Sequence, residues 1–138
     1  TEVTLYDLVG RLIKPATEAR RCSYVEVVAS GAQRPRWFVS HWWGEPVLFF
    51  VKCLRQHSRD RILGEDCAYW VCAYANNQWQ LGDNVTTDPA QSAFRKAMAL
   101  AEGTVSIVDG SATCFTRVWC AYEVFVSLCV VREPHYLY

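Results

Sequence analysis

The stretch Thr104-Val-Ser-Ile-Val-Asp-Gly110, followed by Ser111-Ala-Thr-Cys-Phe-Thr116 and Arg117-Val-Trp-Cys-Ala-Tyr-Glu-Val124, reads as strand, short loop and helix. The β-branched run is the strand. In the helix that follows, Trp119, Cys120 and Glu123 share one surface, because residues three and four apart are neighbours there. A helix that begins just beyond a strand's carboxyl end is the repeating unit of an open α/β sheet, and such sheets bind ligands in the crevice outside those strand ends. Glu123, held between aromatic rings in that crevice, is a candidate acid, base or charge stabiliser. The same spacing also fits a solvent-facing glutamate with Trp119 and Cys120 packed inward, and a lone carboxylate does not decide between the two.

The pattern repeats upstream. Trp37-Phe-Val-Ser-His41 reads as a strand, and Gly44-Glu45-Pro46 as a loop and helix start in which the glutamate complements the helix dipole. A helix from about Val47 to Arg59 turns Val47, Phe50, Val51 and Leu54 inward and stops at Gly64. Cys67 to Ala75 reads as a buried strand, and the polar segment Asn76 to Asp88 as a long loop, the one place suited to act as a lid. Asp88-Pro89 caps a helix to about Ala101, with Ala90, Phe94, Ala97, Met98 and Ala101 as its buried stripe, and Pro134 ends the Trp119 helix. Before all this, Leu5, Leu8, Val9, Leu12, Ile13 and Ala16 recur at helical spacing, with Pro15 ending or kinking the helix, and Tyr24 to Ala29 is a short β-branched run. This alternation predicts an α/β fold, a parallel sheet covered by helices on both faces.

Composition narrows the function classes. At 138 residues, 51% apolar and 14% aromatic, the chain suits one domain with a full core. Fourteen basic and fourteen acidic residues cancel, leaving no electrostatic footprint for nucleic acid or an anionic membrane. The longest apolar stretches, Pro46 to Cys53 and Val124 to Val131, fall short of the ~20 residues a bilayer needs. Seven cysteines, an odd number with no Cys-x-x-Cys pair, sit mostly in apolar runs as reduced core cysteines do, so a reducing, cytoplasmic compartment is expected. The chain opens at Thr1 without a methionine and stops at Tyr138 in what reads as the start of another strand, so an excised segment is expected.

Phe38-Val-Ser-His-Trp-Trp-Gly-Glu45 supplies a second set of chemical groups. Ser40 and His41 offer hydrogen bonds, Gly44 permits close backbone approach, and Trp42 or Trp43 suits stacking on a base or a nicotinamide ring, although adjacent tryptophans serve equally well as a plug at the end of a sheet. In a doubly wound sheet the two strand ends are neighbours, which brings His41, Trp43 and Glu123 towards one crevice. Cys53 and His57 stand at i and i+4, half of a zinc site, but no second pair with ligand spacing follows, so no metal is expected. Cys120 as a nucleophile would need His41 as its base, and a buried thiol is the better reading. Neither common glycine-rich phosphate loop is present.

Taken in order, these elements resemble a Toll/interleukin-1 receptor (TIR) domain of the plant and microbial branch. Phe38-Val-Ser40 followed by Gly44-Glu45 is similar to the family's opening strand and loop, Asp88-Pro89 to Glu102 to its second helix, Val105 to Asp109 to its third strand, and Arg117-Val-Trp-Cys-Ala-Tyr-Glu-Val to its Ser-x-Trp-Cys-x-x-Glu-Leu motif. The likeness runs from Trp37 to Tyr138, and Trp-Cys-x-x-Glu is its most specific part. It implies a flavodoxin-like open sheet of four to five strands over residues 37–138, preceded by a helical extension over residues 1–36. It further implies cleavage of the nicotinamide-ribose bond of NAD, with Glu123 stabilising the cationic transition state and Ser40, His41, Trp43, Gly44, Asp109 and Trp119 around the nucleotide. NAD is then substrate, with no other cofactor. Activity on self-association, or on contact with other TIR-like domains, is expected, with the loop from Asn76 to Asp88 held by a neighbour. The chain departs from the pattern at His41-Trp-Trp, where plant members carry an aromatic and an arginine. It departs again at Asn76-Asn77, which replaces an acidic pair, and at Arg117 near the expected serine. The alternative is a non-catalytic interaction or structural module.

Overall fold

The computed structural model describes residues 2–80, 88–131 and 135–138. Its centre is β1 (Trp37–Ser40), buried at all four positions. Such an unbroken apolar run suits a parallel strand covered on both faces. It pairs in parallel with β2 (Tyr69–Trp70) on one side and β3 (Gly103–Ser106) on the other, and β3 pairs in parallel with β4 (Tyr136–Leu137). The sheet order is β2-β1-β3-β4, a flavodoxin-like open α/β arrangement within the four to five strands expected. Gly103 is required by crowding: a Cβ there would lie 2.4 Å from the Tyr136 carbonyl oxygen and 2.5 Å from the Trp37 ring.

Alternation along β1 divides the core in two. Trp37 and Val39 face a cluster built with Leu5, Val9, Ile13, Phe50, Val71 and Val105, under the N-terminal helical run and α3 (Val47–Asp60). Phe38 faces Ala97, Met98 and Val126, under α5 (Ala93–Leu100) and α6 (Val118–Cys129). Before β1 come α1 (the continuous run Leu5–Leu8, Val9–Ile13 and Lys14–Thr17) and α2 (Tyr24–Val28), and the short α4 (Cys72–Ala75) follows β2. No helix among the described residues is long and apolar enough to cross a membrane.

Several local readings are corrected. Pro15 does not end α1: the preceding segment opens into a π turn, in which the Lys14 N–H reaches the Val9 carbonyl, and the helix continues to Thr17. A π turn relaxes the ladder where proline supplies no donor. The β-branched run after Ser23, whose type the sequence left open within the expected helical extension, is helix over Tyr24–Val28, because Ser23 and Glu26 form a reciprocal capping box that outweighs the strand preference of its valines. The chain leaves α3 at Ile62, in a left-handed conformation (φ 53°), before Gly64. The strand expected over Cys67 to Ala75 is two residues long and becomes a helical turn at Cys72, short apolar runs being ambiguous between the two. The helix expected from Pro89 is a 3-10 turn (Pro89–Gln91) that leaves Ala90 exposed, and α5 starts only where the Ser92 side chain accepts from the Arg95 N–H. Pro134, expected to end α6, lies outside the described residues; the helix ends at Cys129.

Candidate functional site

Ser40 is the last residue of β1, and Glu123 lies in the second turn of α6. The crossover brings them together: the Ser40 hydroxyl donates to Glu123 Oε2 at 2.5 Å. Glu123 is 5% exposed, which overturns the solvent-facing reading of this residue. Burial pushes its carboxyl up to about 8, and the Ser40 hydrogen bond counteracts this only in part. The protonated form of the free chain therefore predominates at neutral pH.

Around this carboxyl opens a cleft of about 500 Å³, within the range of small-molecule sites. His41, Trp43, Trp119 and Glu123 line it together, as the two strand ends suggested. Trp119 is 40% exposed rather than packed inward, and its ring stacks on Phe94 at 5.8 Å and 19°. Phe94 in turn meets Trp70 edge-on, and Trp70 stacks on Phe38, so the cleft wall is continuous with the core. Trp43 donates its indole N–H to Cys72 Sγ at 2.9 Å and stands edge-on to Tyr6, with ring centroids 5.6 Å apart.

His41 is 6% exposed, with Nδ1 3.3 Å from the Val39 carbonyl and Nε2 buried without a hydrogen-bond partner. Burial pulls its pKa down to about 4, so the ring is neutral at physiological pH. With the proton assigned to Nδ1, as the Val39 carbonyl requires, Nε2 offers an acceptor lone pair. His41 does not activate Cys120: that thiol donates to the His41 main-chain carbonyl at 3.6 Å, and burial pushes it up to about 11. Cys120 is thus a buried thiol, not a nucleophile held ready.

Of the residues expected around the nucleotide, Ser40, Gly44 and Asp109 do not line the cleft; Ser40 is fully buried behind Glu123, which it holds. At Gly44 a Cβ would fall 2.2 Å from the Trp42 ring, so this glycine makes room for an indole rather than for a ligand. The Asp109 carboxylate accepts from the Ser111 and Thr113 N–H groups and closes the loop after β3; those bonds hold its pKa below the usual carboxylate range. Glu45 stands just before the Pro46 cap of α3, at the helix start as expected, but it does not complement the dipole as a carboxylate. It is 2% exposed, its Oε1 has no partner, and burial, reinforced by Asp109, raises its pKa to about 8.

The loop expected to act as a lid is tied down where it is described. Gln78 donates to the carbonyls of Cys72, Ala73 and Asn76, and the Trp79 indole donates to Thr17 Oγ1. Residues 81–87 of that segment lie outside the described residues. His57 is likewise occupied, its Nδ1 2.7 Å from the Tyr69 hydroxyl and its ring edge-on to Trp37.

Sequence reasoning missed Tyr6, Cys72 and Asn76, which line the cleft. For Cys72 the signal, a place just past the carboxyl end of β2, was hidden because the run Cys67 to Ala75 reads as one strand; for Tyr6 it was local. Thr4-x-x-Asp7 forms a capping box that fixes where the helix starts and hence which way Tyr6 projects. Comparison with family models, with curated proteins and with solved structures finds no match to this chain.

Proposed function

We propose that this cleft belongs to a TIR-like signalling domain that cleaves the nicotinamide-ribose bond of NAD. The observation that carries the reading is Glu123: a carboxyl almost fully buried, anchored by Ser40 and set among aromatic side chains in an open cleft. Cleavage of that bond develops positive charge on the ribose, and a fixed carboxylate in a water-poor site stabilises such charge far better than water does. The nicotinamide ring of NAD is itself cationic. Its arrival beside Glu123 favours the ionised carboxylate, so binding displaces the proton that burial holds there. Trp43 and Trp119 offer ring faces and edges, and the neutral His41 ring adds to the cleft wall. Arg117 lines the same cleft at the start of α6, a helix with no side-chain cap, and both features favour the phosphate end of a dinucleotide.

A second reading, a non-catalytic interaction module, is favoured by a stripe along α6. Val118 at the mouth of the cleft, Phe125 and Leu128 stand exposed at i, i+7 and i+10, the spacing of a helix-pairing seam. Mass-spectrometric detection of nicotinamide release from NAD by concentrated protein separates the readings. Release by the parent chain and its loss in a folded Glu123→Gln variant are expected. No release at any concentration, with association lost in Phe125→Glu, would transfer the assignment to the interaction module.

A further inference from the structure

The N-terminal helix has no counterpart in the resemblance that suggested the function, yet it reaches the cleft. Leu5, Val9, Ile13 and Thr17 fall four residues apart and are all buried, so α1 lies flat on the α/β core along its whole length. Its two ends are fastened to different loops. At the start, the Leu5 N–H donates to the Trp43 carbonyl at 3.0 Å and the Val47 N–H donates to the Val3 carbonyl at 2.8 Å, which brackets the Trp43 loop. At the far end, the Trp79 indole donates to Thr17 Oγ1 at 3.0 Å, Asn77 Nδ2 donates to the Arg21 carbonyl, and the Arg21 guanidinium lies 3.9 Å from the centre of the Trp79 ring. That second loop carries Asn76, which lines the cleft together with the aromatic residues of the first. Tyr6 projects from the first turn of α1, 53% exposed, and meets Trp43 edge-on inside the cleft.

We propose that α1 is part of the binding site, with Tyr6 a ligand-contacting residue that selects for a flat aromatic ring seated against Trp43. An edge-to-face corner of two aromatic rings favours a third flat ring and gives nothing to a ligand without one. A tyrosine whose only task was to fill the core would be buried, as Leu5 beside it is. This inference rests on the NAD-cleaving reading of the site, and its test keeps the two apart.

The test uses the full chain and two probes, NAD for turnover and nicotinamide for binding by saturation-transfer NMR, in the parent, Tyr6→Ala and Tyr6→Phe. In Tyr6→Ala, KM for NAD is expected to rise about threefold to tenfold and nicotinamide binding to weaken by a similar factor, with kcat within twofold. Tyr6→Phe keeps the ring and is expected to stay near the parent. A half-exposed side chain contributes little to stability, so the unfolding midpoint of Tyr6→Ala should shift by less than about 3 °C. A purely structural role would instead lower that midpoint and move kcat and KM together. Unchanged KM and unchanged nicotinamide binding in Tyr6→Ala overturn the inference and leave NAD cleavage standing. Nicotinamide binding that depends on Tyr6 in a protein without turnover overturns the cleavage and leaves the inference standing. A parent chain that binds neither probe overturns both.

Discussion

Two carboxyls in this molecule share a number and nothing else. Glu123 and Glu45 are both almost fully buried, and burial raises each to about 8. Glu123 is held by the Ser40 hydroxyl and opens on an aromatic cleft; Glu45 has an unpartnered oxygen, lies near Asp109 and lines no part of that cleft. A perturbed carboxyl therefore does not make a site, since desolvation shifts both alike. The added features are a partner that fixes its geometry and a space in which a ligand meets it. Substitution puts this difference to its hardest test. Glu123→Gln is expected to lower NAD turnover by on the order of 10²–10³-fold, the cost of one preorganised charge. Glu45→Gln is expected to leave turnover within about threefold, the usual result for a buried group remote from the chemistry. Equal losses from the two, in folded proteins, would erase the distinction.

The pair also shapes stability against pH. A carboxyl whose folded pKa is raised binds more protons in the folded than in the unfolded state between the two values, so stability falls as pH rises from about 4.5 to about 8 and is level above. His41 acts in the opposite sense. Its folded pKa is depressed to about 4, so the unfolded state binds more protons between there and 6.5, and stability rises with pH over that span. His57 and His135, whose pKa values burial also lowers, act with His41, so the histidines offset the carboxyls below pH 6.5 and not above it. The unfolding midpoint is expected to drop by roughly 5 °C or more between pH 6.5 and 8. Glu45→Gln should remove its share of that drop and Glu123→Gln the rest. A flat profile in the parent chain would show that water reaches both groups.

The fold was legible where the chain signals through periodicity. The buried run Trp37–Ser40, the run into β3 and the stripe of α3 read directly, and their alternation implied the parallel sheet. Where capping decides, composition alone left the element open although the signal was present. Ser23-Tyr-Val-Glu26 is a capping box, and it outranks the β-branched Val25, Val27 and Val28. Of the site, His41, Trp43, Trp119 and Glu123 were legible because each sits at or just past a strand's carboxyl end or in the first turns of the following helix. Tyr6 was not, because its arrival depends on long-range contacts such as the Leu5 to Trp43 hydrogen bond, and Cys72 and Asn76 were not, because the run Cys67 to Ala75 reads as one strand and hides the end of β2 and the helical turn after it. Asp109 and Gly44 show the converse: both stand at strand-end positions that invite a ligand, and local loop geometry uses them up.

The finest test lies in the single hydrogen bond that separates the two carboxyls. The Ser40 hydroxyl donates to Glu123 and favours its ionised form, the one form in which the carboxylate stabilises a cationic transition state. In the parent chain, kcat/KM for NAD is expected to rise with pH and level off above about 8, where the free enzyme's Glu123 ionises. Ser40→Ala removes the donor without adding bulk, so burial acts on Glu123 unopposed. A hydrogen bond to a charged group contributes about 1.5 kcal/mol or more, which corresponds to moving that rise roughly one pH unit towards alkali. The plateau rate should change little, because once ionised the carboxylate faces the same cleft. If Ser40→Ala lowered the plateau and left the position of the rise unchanged, the serine would be orienting Glu123 rather than setting its charge. The contrast with Glu45 would then be one of geometry alone.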